Sequence, residues 1–163
     1  MSKANPYDVF IDRQSPVAIL ESTAAAVVDA LDRIGEGQVA VPPAPGKWSA
    51  AQIACHLADC ELVFGFRLRQ TLAEDGPTIQ PFDQDKWAAT YSGIPAAEAT
   101  KTFAALRNWN LRLIQSSLPS AAGRTMIHPE RGAMTFQTIV ETMAGHDLNH
   151  LGQLRKMAEA RSF

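Results

Sequence analysis

Four stretches of this chain place apolar residues three and four positions apart, and that period admits one kind of element, the amphipathic helix. In the first stretch Ser15-Pro16 supplies an N-cap with proline at the first helical position. Val17, Leu20, Ala24, Val27, Leu31 and Ile34 then hold the stripe until Gly35 stops it. The second opens on a capping box, Ser49 with Gln52, and carries Ile53, Leu57, Cys60, Phe64 and Leu68 before fading near Leu72. Glu61 and Arg69 lie off that stripe and read as solvated surface. The third starts at Pro95, runs through Ala99, Phe103, Leu106, Trp109, Leu113 and Leu118, and is predicted to end before Pro119. Thr135 caps the fourth, whose stripe is Phe136, Ile139, Met143, Leu154 and Met157. No stretch reads as a strand. Four helices of roughly 20–25 residues with three connections predict an all-α fold, a four-helix bundle occupying residues 1–163 as a single domain.

The connections differ in character. Residues 1–14 read as an irregular lead-in, and Val41 to Trp48 (VPPAPGKW) as a turn built from proline and glycine. Glu74 to Gly93 is longer, and about 20 residues are enough to return along a helix of roughly 35 Å. This segment is predicted to be a long crossover between helices 2 and 3 running the same way. Phe82, Trp87 and Tyr91 should pack it down as a partial lid. Ser120 to Met134 makes the last connection, with His128-Pro129-Glu130-Arg131-Gly132 as its turn.

Bulk properties exclude several classes of function. A net charge of −2 marks no nucleic-acid surface, and no apolar run approaches the ~18 residues of a membrane span. The first residues, MSKANPYDVFIDRQSP, lack the apolar core of a signal peptide, so a cytoplasmic location is expected. Cys55 and Cys60 stand five apart on one helix and face different ways, which suits free thiols in a reducing compartment. Cys60 shares the face of His56, as a small core residue or as a thiol beside a site.

Chemistry concentrates in His146-Asp147-Leu148-Asn149-His150. Two imidazoles four residues apart stand one above the other on a helix, and both fall inside the apolar stripe. Buried neutral imidazoles need partners for every ring nitrogen, and an unpaired buried polar group costs roughly 1–3 kcal/mol. A metal ion meets that need, as do other core hydrogen-bond partners. Catalytic zinc sites typically use three protein ligands. A zincin-type peptidase would take the third from beyond the helix, but the 13 residues after His150 contain no His or Cys, and Asp147 stands where that motif needs Glu. The remaining inward histidine is His56, which is either a third ligand or a lone core histidine. His128 precedes a proline in the turn and is expected to be exposed. Gln153, on the stripe of His150, is placed to hydrogen-bond a ligand histidine or a metal-bound group. Asp59 and Asp147, at the stripe edges, are weaker candidates for the same support, and no catalytic residue is nominated.

Four segments, in order, carry a resemblance: KWSAAQIACHLADCE opening helix 2, PFDQDKWAATY in the crossover, HPERGAMT before helix 4 and HDLNHLGQL within it. The sequence resembles the DinB-like (DinB/YfiT) superfamily of four-helix-bundle metalloproteins over nearly its whole length from about residue 15. The resemblance implies a divalent metal held by His56, His146 and His150, with zinc or nickel foremost, and a homodimer. Relatives that use bacillithiol or mycothiol imply a metal-dependent transferase of thiols to a small-molecule substrate, with a low-molecular-weight thiol as possible cofactor. The alternatives are a metal-dependent hydrolase, a metal-containing stress-response or binding module without turnover, and a bundle whose histidines are purely structural.

Overall fold

The computed structural model describes residues 5–160. Its elements are a short helix α1 (Asp8–Ile11), the long helix α2 (Pro16–Ile34), the long helix α3 (Ala50–Ala73) and a short α4 (Gln84–Ala88). A third long helix α5 (Ala96–Ala121), the strands β1 (Thr125–His128) and β2 (Gly132–Thr135), and the long helix α6 (Phe136–Glu159) complete the order. The long helices form the four-helix bundle. Their starts follow the local chemistry. Ser15 Oγ accepts from the Ala18 N–H ahead of Pro16, and both bonds of the Ser49–Gln52 capping box form. Thr135 Oγ1 accepts from the Thr138 N–H. Gly35, at φ 83°, ends α2 by returning its N–H to the Leu31 carbonyl.

The helices pair by direction. Glu61 of α3 meets Arg107 of α5, and the Thr71 carbonyl at the end of α3 meets Arg124 just past the end of α5. These two helices therefore run the same way. Ile19 and Leu20 of α2 share a core with Phe136 to Ala144 of α6, while Val27 to Ile34 pack with Leu151 to Ala158. That pair is parallel too, and opposite in sense to α3 and α5. The long segment between α3 and α5 is thus the crossover its length predicts. It is tied down at both ends. Ile79 N–H donates to the Ile127 carbonyl of β1 and Ile127 N–H to the Pro77 carbonyl, and Tyr91 is buried with its hydroxyl donating to Asp59 Oδ2 at 2.7 Å.

Several expectations fail. The last connection contains an antiparallel hairpin pairing Thr125 with Thr135 and His128 with Gly132. Pro129, Glu130 and Arg131 form its turn, and Gly132, the first residue of β2, follows at φ 80°, a left-handed conformation that glycine adopts without strain. Alternation along β1 turns Met126 and His128 inward, so His128 is buried, not exposed. Pro119 does not follow the end of α5 but lies in its last turn, where it removes a single helical N–H; Ala121 is buried and the helix continues to it. The lead-in contains α1. Trp109, placed on the apolar stripe by spacing, is 64% exposed and lies beneath the Arg69 guanidinium.

Glu61 and Arg69 are not solvated surface. Arg69 donates to the Gly65 carbonyl and to Asn110 Oδ1, and Glu61 is 2% exposed. Arg107 of α5 donates from Nη2 to Glu61 Oε1 of α3 and pairs through Nη1 with Asp147 Oδ2 of α6, each at 2.7 Å. The same Nη1 reaches the Leu20 carbonyl and Thr23 Oγ1 of α2. Asn110 adds bonds to the Glu61 carbonyl and Oε2, and its close approach needs Gly65, where a Cβ would fall 2.5 Å from Asn110 Oδ1. One buried network thereby joins all four long helices. Pairing of both carboxylates with the guanidinium makes such buried charge tolerable, although Arg107 Nε itself is buried without a partner among the described residues.

Candidate metal centre

Antiparallel packing of α3 on α6 sets His56 opposite His146 and His150. All three rings are buried. His146 Nε2 lies 3.0 Å from His56 Nε2 and 3.1 Å from His150 Nε2. Two nitrogens held about 2.0–2.1 Å from a common ion are separated by roughly 2.9–3.4 Å, so these spacings fit a shared ion. Hydrogen bonding among the rings fits less well. His146 Nε2 carries either one proton or one lone pair, and cannot form a linear N–H···N bond to both neighbours. The three ring nitrogens can hold a metal ion together.

The protonation state suits that role. Burial, then the neighbouring His150, lowers His56 to about 3. Burial followed by the other two imidazoles lowers His146 well below its ordinary value. His150 is lowered by burial too, against opposing contributions from Gln153 and Asp147. All three rings are therefore neutral at pH 7, with lone pairs available. Gln153 Oε1 lies 3.0 Å from His150 Nδ1, which accordingly carries the proton and leaves Nε2 as the free donor of a lone pair. His146 Nδ1 is buried with no partner among the described residues.

Asp59 and Asp147 do not provide the support expected of them. The Asp147 side chain is 3% exposed, not at a stripe edge, and its carboxylate is taken by Arg107 and Thr23. Asp59 accepts from Tyr91. Cys60 Sγ, in contrast, lies 3.5 Å from His56 Nε2 and 3.9 Å from His146 Nε2. Burial, then the charge of Glu61, raises its pKa far above the ordinary value and keeps it a neutral thiol.

Spacing alone did not identify the aromatic wall. Trp48, immediately before the Ser49 cap, packs its ring 4.8 Å from His56 and 6.4 Å from His150. Tyr7 meets His146 edge-on at 5.3 Å. The N-terminal segment comes this close because position 145 lacks a side chain: a Cβ there would stand 2.7 Å from Tyr7 Cβ and closer still to the Tyr7 carbonyl oxygen. Tyr7 with His146 and Trp48 with His150 join residues far apart in sequence, and Trp48 precedes the helix that carries His56, so neither aromatic falls in a helical period.

Two cavities open onto the triad. One, of about 590 Å³, reaches His150 and Gln153 past Trp48, Lys47 and Asp85. The other, of about 310 Å³, reaches His56, His146 and Cys60 past Phe82, Arg67 and His128. Tyr7, just before α1, and Gln84 of α4 in the crossover line both approaches to the triad.

The family model of the DinB superfamily matches residues 19–154. A protein of Oceanobacillus iheyensis named "Putative metal-dependent hydrolase" is 27% identical over 119 residues, covering 72% of this chain and 69% of its own. A Geobacillus kaustophilus protein of the same designation is 25% identical over 154 residues, covering 92% of this chain and 86% of its own. The solved structure of YfiT from Bacillus subtilis, described as a probable metal-dependent hydrolase with an unusual four-helix bundle topology, superposes with a TM-score of 0.84 at 19% identity. That match covers 91% of this chain and 86% of YfiT. The matched family region contains both histidine-bearing helix segments and the crossover between α3 and α5: the chain belongs to the DinB superfamily.

Proposed function

We propose that this protein is a metal-dependent hydrolase acting on a small molecule, with His56, His146 and His150 holding a divalent transition metal, zinc or nickel foremost. The observation that carries the reading is the convergence of three buried, neutral imidazole Nε2 atoms between two cavities. The names of the relatives support the same reading. When bound there, a divalent ion keeps its full charge, because neutral imidazoles bring none, and acidifies a water or thiol in an open position. Gln153 hydrogen-bonds the His150 ring, and Trp48 and Tyr7 pack against His56 and His146 and hold their orientation. Among the described residues, the carboxylates that line the two cavities are Asp85 and Glu130, both exposed, so a proton leaving the nucleophile has these acceptors or solvent.

A second reading is transfer of a thiol such as bacillithiol. Its support is that a thiol is intrinsically more acidic than water and needs less help to ionise, and that the carboxylates lining the cavities among the described residues, Asp85 and Glu130, are both exposed. One spectroscopic experiment separates the two. In cobalt-substituted protein, the transfer reading expects an added low-molecular-weight thiol to give sulfur charge-transfer bands that decay as the thiol is conjugated to an electrophilic test substrate, whereas the hydrolase reading expects no conjugation. Cys60→Ala is run in parallel, because Cys60 lies near the same nitrogens and would produce bands unaided. Hydrolysis of ester and amide substrates that is abolished in His150→Ala supports the first reading. A full complement of metal with neither bands nor turnover contradicts both.

A further inference from the structure

The smaller cavity contains a charge that the proposed hydrolysis leaves unused. Arg67, two turns beyond Cys60 on α3, is 8% exposed, and its Nη2 donates to the Gln80 carbonyl at 2.9 Å. Among the described residues no carboxylate lies within ion-pair distance of it. Arg107, buried to a similar degree, has two carboxylates at 2.7 Å. Buried guanidinium groups are ordinarily paired in that way. Burial, with repulsion from Arg131, lowers Arg67 to about 10, so it is still a cation at neutral pH.

The surroundings of Arg67 suit an anion. Arg131 lines the same cavity from the hairpin turn, and so does His128. His128 Nδ1 accepts the Glu130 N–H at 3.1 Å, so the neutral ring carries its proton on Nε2 and can donate. Glu130, exposed, is the one carboxylate among the described residues that line the cavity and is matched in charge by Arg131, which leaves Arg67 unbalanced. Phe64, Pro81 and Phe82 supply apolar wall, with Tyr7, Gln84 and Thr142 between them and the charged groups. Histidines 56 and 146 lie in the same cavity.

We infer that this cavity takes a small organic anion, a carboxylate or phosphate carried on an apolar body, with the anionic group paired to Arg67. Arg131 and His128 add donors beside it, and the rest of the molecule faces the metal centre. The inference rests on the proposed metal-dependent reading for what happens at the triad, but the anion subsite stands on Arg67 alone. Arg67 is a binding residue here, with no role in the bond-breaking step.

Calorimetric titration with three probes tests it: phenylacetate, phenyl phosphate and the neutral isostere phenylacetamide. In metal-loaded wild type, at least one anion should bind about tenfold or more tightly than the amide, and the tighter anion identifies the headgroup class. In Arg67→Gln the preference should vanish with metal content unchanged. Arg67→Lys, which keeps the charge, should retain part of it. In His150→Ala the preference should persist, because Arg67 does not depend on the ion. The side-chain Nε–H resonance of Arg67 in wild type should shift with either anion and not with the amide, a readout that needs no variant. Equal binding of all three probes, no binding of any, or a preference that survives Arg67→Gln overturns the inference. Loss of the preference in His150→Ala overturns it too, by placing the anion on the metal. A wild type that binds no metal yet prefers anions through Arg67 refutes the hydrolase reading and leaves this one standing.

Discussion

Single atoms decide much at this site. Gly145 admits the backbone of Tyr7 against α6, and a methyl group there would collide with the Tyr7 carbonyl. Gly145→Ala should therefore destabilise the protein by about 1–3 kcal/mol, the usual range for overpacking, seen as a lower urea midpoint at unchanged slope. An unchanged midpoint would mean that the N-terminal segment is not seated where the structure places it. Arg107 is the more costly position. Its removal leaves Glu61 and Asp147 buried without a cation, which costs about 3–5 kcal/mol for a broken buried pair. Arg107→Met should show that loss in urea unfolding, and a loss below about 1 kcal/mol would contradict the network as described. Spacing placed Asp147 at the edge of a stripe and Glu61 in solvent, because a charged residue is read as surface unless its partner is known. The partner of both is Arg107 of α5, which gives no sign in sequence of the two carboxylates it serves.

Elements with strong local signals were legible in sequence, and those made by pairing were not. Ser15-Pro16, the Ser49–Gln52 box and Thr135 each mark a helix start through bonds within one turn, and the structure begins helices at all three. The hairpin escaped notice because its strands are four residues each and the Pro129-Glu130-Arg131-Gly132 turn dominates the reading. Yet Met126 and His128 alternate inward, and glycine closes the turn, which is the pattern of a short hairpin. Burial of His128 has a titration consequence. Burial first, then Arg131 and Arg67, lower its pKa below the ordinary 6.5, with Glu130 opposing. The unfolded chain then binds the proton more readily than the folded one, so stability from this group is complete above pH 6.5 and declines as pH falls below it. His128→Gln should therefore lose less stability than wild type between pH 7 and pH 5 in urea titrations. Identical losses would place His128 in solvent.

The molecule as a whole brings together what the chain keeps apart: ninety residues separate His56 from His146, yet their Nε2 atoms are 3.0 Å apart. Spacing along α6 predicted that two histidines share a face and left His56 as either a third ligand or a lone core histidine; the antiparallel packing of α3 on α6 brings it to the other two. The outward faces of α3 and α5 expose Leu62, Phe66 and Trp109, by 52, 65 and 64%. The homodimer implied by family resemblance would cover apolar surface of this kind, and we propose that it does. Light scattering at micromolar concentration should give about twice the 17.7 kDa of one chain, reduced in Phe66→Glu; a single-chain mass throughout would contradict this. No described helix is long and apolar enough to cross a membrane. A bound ion stabilises the folded state by mass action, so a chelator should lower the melting temperature of wild type and leave His56→Ala, His146→Ala and His150→Ala nearly unmoved. The most direct test is elemental analysis of these proteins after purification without chelator or nickel resin. The account predicts about one equivalent of a divalent transition metal in wild type and in His128→Ala, and a small fraction of that in each of the three triad variants. A metal-free wild type, or a His128→Ala protein that alone loses its metal, would contradict it.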